Sequence, residues 1–160
     1  MNETLSFDRT LIEPEGPAVA VSQLVRRIVA PNGGPFTFTG TCSYLIGQRE
    51  VAVLDPGPEN AAHFDALVEA IGASTVSAIL VTHTHKDHSP LARRLQALTG
   101  APILGCAPHF AARSLSEGET NLLDASADRD YRPDRILTAG EVVEGEGFTL
   151  EAVPTPGHTM

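Results

Sequence analysis

The sequence predicts an α/β layered domain, on three observations. Short β-branched runs end in Gly/Pro turn clusters, amphipathic helical stretches are interleaved with them, and the late sequence turns β-rich. Taken in order, SQLVRRIVA (22–30) alternates enough to form a strand. NGGPFTFTG (32–40) is a Gly/Pro loop around a short β-prone stretch. TCSYLIG (41–47) and EVAVLD (50–55) are two strands joined by a tight Gly-containing connection. DPGPEN (55–60) is a turn cluster. Ala61, Phe64, Leu67, Val68 and Ile71 then recur at helical spacing, so 60–71 is an amphipathic helix. TVSAILVT (75–82) is a short apolar run suited to a buried strand.

Ser89 and Pro90 open the next helix. Serine suits an N-cap, and proline suits a first turn, where its missing N–H has no partner to lose. LARRLQALTG (91–100) is that helix, with Gly100 as its stop, and APILGC (101–106) is another strand. PHFAARSLSEG (108–118) has room for a helical turn or two. Residues 116–135, polar and acidic, read as a long loop. Residues 141–159 hold two β-prone runs around a Gly turn and end in a Pro/Gly loop.

The 160 residues suffice for one domain with a core and hardly for two. Eleven Lys+Arg against 20 Asp+Glu give a formal charge of −9, which argues against a general nucleic-acid or anionic-membrane surface. The start, MNETLSFD, lacks the basic-then-apolar pattern of a secretory signal, and no apolar run approaches a membrane span. Cys42 and Cys106 lie far apart and read as free thiols of a reducing compartment. A cytoplasmic protein is expected.

VTHTHKDHSP (81–90) places three of the six histidines, with an aspartate, inside six positions. Buried imidazoles cost free energy unless their nitrogens find partners, and a shared metal ion satisfies several at once. If extended backbone persists through Thr82–His85, His83 and His85 point to one side and Thr84 away. Asp87 falls on the approach to a turn. His88 precedes the helix, whose N-terminus disfavours the imidazolium and keeps His88 neutral, as a ligand must be. The donors thus gather at the carboxyl end of a strand, where open α/β sheets bind ligands. A helical HExxH site is excluded by Pro90 and the Thr-rich approach. Two histidines rarely complete a site, and PTPGHT (154–159) offers His158 in a constrained loop after a strand.

H-x-H-x-D-H after an apolar strand, LDPG (54–57) upstream and PGHT (156–159) downstream together resemble the metallo-β-lactamase-fold hydrolases. NGGPFTFTGTCSYLIG (32–47) resembles the N-terminal signature of their lactamase-β-like, endoribonuclease-containing group, with Cys42 where asparagine is common. The resemblance implies an αββα sandwich of which these residues form the N-terminal part, over a single domain 1–160. It implies that His83, His85 and His158 hold one zinc ion and that Asp87 and His88 contribute to a second. Asp87 would also orient the nucleophile, and Asp55 would support the ligands from behind rather than bind metal. Family members continue past PGHT with a bridging aspartate and a further histidine. The chain is therefore expected to lack the second half of the fold, leaving apolar residues in 77–81 and 148–153 facing water.

Smaller expectations complete the reading. His63, on a helix, is a surface or ordinary core histidine, His109 at a helix start is not expected to bind metal, Lys86 is solvated, and Arg93 and Arg94 lie over apolar neighbours. Asp124, Asp128 and Asp130 are loop acids. Three neutral imidazoles leave zinc a position for water, whose pKa falls to about 7. The implied activity is zinc-dependent hydrolysis of an ester-, amide- or phosphodiester-type bond in a small-molecule or single-strand nucleic-acid substrate. A glyoxalase-II-like thioester hydrolase is the second enzymatic reading. A non-catalytic metal-binding module or inactive fragment is the rival. No membrane partner is expected, and self-association is.

Overall fold

The computed structural model describes residues 15–110 and 126–158. The expected helical turns from residue 111 onward, and Asp124, lie outside these. The elements follow in the order β1 (Val19–Ala20), β2 (Val25–Val29), β3 (Cys42–Gly47), β4 (Glu50–Leu54), α1 (Ala61–Ile71) and β5 (Thr75–Val81). Then come α2 (Leu91–Thr99), β6 (Ile103–Gly105), β7 (Arg135–Ile136), β8 (Val142–Gly145) and β9 (Phe148–Glu151). Strands β1 to β7 form one seven-stranded sheet in chain order, and β8–β9 form a separate hairpin.

Pairing is antiparallel from β1 to β4 and parallel from β4 to β7. The switch has a local cause. Gly47 to Arg49 allow a tight return between β3 and β4, whereas β4–β5 and β5–β6 are each bridged by a crossover helix, as parallel neighbours require. α1 starts at Asn60, whose extended backbone lets its side chain accept from the His63 N–H at 3.0 Å. α2 ends at Gly100 in the left-handed conformation.

Alternation along the strands divides the core in two. Val51, Val53, Ile79, Val81, Leu45 and Ile28 pack with Phe64 and Leu67 of α1 and Leu91 and Leu95 of α2. Ala52, Ala78, Leu80, Ile46 and Leu104 face the other way, against Val143 and Phe148 of the hairpin. Each fully buried Leu or Ile contributes about 1.5–3 kcal/mol over its exposed state. The result is a mixed α/β layering with both helices on one face, in agreement with the predicted class.

Four expectations need correction. The segment 77–81 does not face water: Ile79 and Val81 lie under the helices, and Ala78 and Leu80 under the hairpin. Phe148 is buried too, while Val153 is exposed. Ser89 does not cap α2 through its side chain; its hydroxyl donates to Asp128 Oδ2 at 2.7 Å. Within the expected loop 116–135, Arg135 opens β7, paired beside β6. β1, a two-residue edge, carried no sequence signal.

Candidate metal centre

The site lies beyond the carboxyl ends of the parallel strands. β4 delivers Asp55, β5 delivers Thr82 to His88, and the chain after β9 brings His158 across. The extended run ends at Val81, yet His83 and His85 still turn to the same side, and Thr84 is buried away from them. His83 Nε2 lies 3.2 Å from His85 Nδ1, and His158 Nε2 lies 3.1 Å from the same His85 Nδ1. One ligand atom from each of the three histidines falls within 4.8 Å of the others. The sequence separation between His85 and His158 is 73 positions, so only the tertiary fold closes this group.

What holds the rings is a carboxylate behind them. Asp55 is 6 % exposed and takes a positive φ of 48°, an uncommon conformation that aspartate tolerates better than most residues. Its backbone N–H bonds Leu80 O at 2.8 Å, continuing the β4–β5 ladder. Oδ1 accepts from the Thr82 N–H and Oδ2 from the Thr82 hydroxyl, both at 2.8 Å. Because that hydroxyl proton is committed to Asp55, Thr82 Oγ1 accepts from His83 Nδ1 at 2.9 Å. This assigns the Nδ1–H tautomer and leaves the Nε2 lone pair on the side of His85, available to a metal. His88 Nδ1 donates to Asp55 Oδ2 at 3.0 Å, and its Nε2 lies 3.3 Å from Asp87 Oδ2. Asp55 thus touches Thr82 and His88 rather than the central nitrogens. Thr82 was missed in the sequence because a threonine at a strand end carries no distinguishing pattern.

Protonation follows these contacts. Burial, then the neighbouring His88 and His85, lower the His83 pKa to about 4. Burial and His158 lower that of His85. Both are neutral donors at neutral pH, as metal ligation demands. His88 behaves otherwise: burial opposes its charge, but the carboxylates of Asp55 and Asp87 outweigh burial and raise it to about 9. The expectation that the helix N-terminus keeps His88 neutral is therefore corrected; two carboxylates within hydrogen-bond reach exceed a helix-end field. Asp87 is held well below the usual carboxylate range, first by His88 and then, against burial, by the Thr41 hydroxyl at 2.8 Å.

The remaining residues separate clearly. His63 is fully buried, with Nε2 2.8 Å from Ser43 Oγ. Gly57 of the Asp55 turn packs on it so closely that a Cβ would meet His63 Nε2 at 2.6 Å, at a φ of +97°. His109 stands outside the trio, though near enough for its charge to disfavour protonation of His85. Asp128 serves Ser89, and its N–H bonds Thr84 O at 2.6 Å, tying its loop to the histidine run. Arg94 lies 3.8 Å over the Phe64 ring. Lys86 and Arg93 are exposed. Cys42 and Cys106 are free thiols. Among the described residues no helix is long and apolar enough to cross a membrane.

Two imidazoles from the run after β5 and a third from the chain after β9, one with its tautomer fixed from behind, would suit a metal ion that takes nitrogen donors. The comparisons with known proteins agree with the geometry. Residues 36–159 match the family model described as the metallo-beta-lactamase superfamily. A beta-lactamase-like protein 2 homolog of Caenorhabditis elegans is 29 % identical over 89 % of this chain and 45 % of its own length. An atrochrysone carboxyl ACP thioesterase of Aspergillus fumigatus is 30 % identical over 91 % of this chain and 42 % of its own. This chain therefore spans less than half the length of those relatives. Among solved structures, a metallo-beta-lactamase motif mutant from Cronobacter sakazakii superposes with a TM-score of 0.65 at 25 % identity, covering 89 % of this chain and 56 % of that one. A metallo-beta-lactamase from Legionella gormanii gives 0.66 at 23 %, covering 93 % and 57 %.

Proposed function

This chain belongs to the metallo-beta-lactamase superfamily, and on that premise we propose that it carries the zinc-binding half-site of a hydrolase acting on acyl thioesters. The observation that supports this most is the convergence of His83 Nε2, His85 Nδ1 and His158 Nε2. The thioester is preferred among ester-like bonds because several relatives, including those from Aspergillus fumigatus and Aspergillus terreus, are named as acyl-carrier-protein thioesterases.

In this reading His83, His85 and His158 would hold one zinc ion, and Asp87 and His88, the latter on giving up its proton, would contribute to a second. Bound zinc supplies Lewis acidity, bringing the pKa of water to about 7 and polarising a carbonyl. The chain's own residues do the rest. Asp87, with Oδ2 held by the Thr41 hydroxyl, would orient the attacking water and accept its proton. Asp55 and Thr82 keep the His83 ring fixed while charge develops.

The test is zinc reconstitution followed by hydrolysis of S-hexanoyl-N-acetylcysteamine, a p-nitrophenyl ester and bis(p-nitrophenyl) phosphate. About one or two zinc ions bound per chain, with thioester turnover fastest and abolished in His83→Ala and His158→Ala, supports the proposal. Zinc bound tightly with none of the three probes turned over would instead make this a non-catalytic metal-binding module. Turnover of the phosphate diester alone would move the substrate class to nucleic acids.

A further inference from the structure

We propose that Asn32 and Thr41 form a positioning clamp that sets the direction of the Asp87 carboxylate. The inference deepens the functional reading, since it rests on Asp87 acting in hydrolysis.

Asn32 and Thr41 close the base of the 32–41 loop with two side-chain bonds. The Thr41 N–H donates to Asn32 Oδ1 at 2.8 Å, and Asn32 Nδ2 donates to Thr41 Oγ1 at 3.0 Å. The first bond pins the amide orientation, because a backbone N–H can face only the oxygen end. The amide NH2 must then face Oγ1 and occupy a lone pair of the threonine hydroxyl. That hydroxyl retains one proton, and the acceptor it meets is Asp87 Oδ2 at 2.8 Å. The order of donors is thus dictated from Thr41 N–H to the carboxylate with no freedom to reverse.

The clamp is rigid for reasons independent of the site. Thr41 is 7 % exposed and sits where β3 begins, its carbonyl accepting from the Ala30 N–H at 2.9 Å. Asn32 N–H bonds Ala30 O at 2.8 Å, and the Thr37 hydroxyl bonds Asn32 O at 2.5 Å. Gly40, at a φ of +137°, lets the chain lie directly on Ala30 O, where any Cβ would collide. The Ala30 N–H bond adds a backbone tie at the same place, and the proton of the threonine hydroxyl is left to serve Asp87. Asp87 lies 46 positions away in sequence, and no pattern in either segment announces the pairing.

The test follows the Asp87 side-chain carboxyl 13C resonance, assigned by its disappearance in Asp87→Asn, in metal-free protein and its variants. Thr41→Val removes the donor. Asn32→Asp keeps the acceptor for the Thr41 N–H but turns the hydroxyl back toward the introduced carboxylate. Thr41→Ser keeps the hydroxyl. We expect the Asp87 resonance to move in Thr41→Val and Asn32→Asp and to stay near the parent position in Thr41→Ser. In zinc-loaded protein with the hexanoyl thioester, kcat should fall about tenfold in the first two, the equivalent of one lost hydrogen bond, with KM within about twofold. Thr41→Ser should recover most of it. A parent-like Asp87 resonance in both Thr41→Val and Asn32→Asp overturns the clamp, as does a Thr41→Ser variant as impaired as Thr41→Val. Asp87→Asn turning over as fast as the parent overturns the hydrolytic role of Asp87 instead, and the resonance then judges the clamp alone.

Discussion

Replacing Asp55 with alanine should damage stability and metal affinity together. The carboxylate accepts the Thr82 N–H, the Thr82 hydroxyl and His88 Nδ1 at 2.8, 2.8 and 3.0 Å, in a position 6 % exposed. Alanine leaves two buried or half-buried N–H donors without their acceptor, and hydrogen bonds to a charged partner contribute about 1.5–3 kcal/mol each. The three share one carboxylate and do not add, so a loss of about 3–5 kcal/mol is expected, as for removal of one member of a buried charged pair. Alanine also tolerates the left-handed backbone conformation of this position less well than aspartate, so nothing is recovered there. For a domain of this size each kcal/mol moves Tm by about 2–4 °C, so a drop of roughly 6–20 °C follows. The Thr82 hydroxyl, released from Asp55, no longer fixes the His83 tautomer, and metal affinity should fall about 10–100-fold. Urea unfolding of metal-free protein and cobalt titration followed by visible absorption read the two effects separately. Parent-like values in both would refute the idea that Asp55 supports the ligands from behind.

Other expectations follow from the same contacts. Asp87→Ala should cost turnover at least about a hundredfold while stability falls by about 1–3 kcal/mol, less than in Asp55→Ala, because Asp87 is a partly exposed carboxylate rather than a core group; thermal melts beside kinetics decide this. Burial lowers His63 to about 4, below its unfolded value. Its neutral form is favoured by folding, so this stabilisation is complete above about pH 6.5 and is lost as pH falls toward 4. In metal-free protein, the slope of unfolding free energy against pH in that window should shrink by close to one proton in His63→Gln. Gly57→Ala combines a positive φ with a Cβ placed on the His63 ring, and should cost about 2–4 kcal/mol. A cost below about 0.5 kcal/mol by urea unfolding would show that the Asp55 turn is free to shift.

Helices and strands were legible wherever period and punctuation agreed. Asn60 and Gly72 bracket an amphipathic run, Gly100 stops the next, and each β-branched run lies within a residue or three of its strand. The histidine spacing announced a metal site because two imidazoles one residue apart at a strand end share a side whatever the rest of the fold does. These are local facts, set by backbone sterics and by the cost of unpaired polar groups. β7 escaped because its two residues are exposed and pair only through their backbone with β6. Ser89 misled because its hydroxyl had a better acceptor in Asp128, 39 positions on. His88 took a proton affinity opposite to the one its helix suggested, because Asp55 and Asp87 arrive from different segments. For His63 the sequence left surface and core open, and the fold buries it as the floor of the Asp55 turn. In each case the deciding interaction is a short-range contact between groups distant along the chain. Charge and hydrogen-bond energies fall off within a few ångströms, so residue types and spacing settle which groups are available, and only the packed sheet and its crossing loops settle which of them meet.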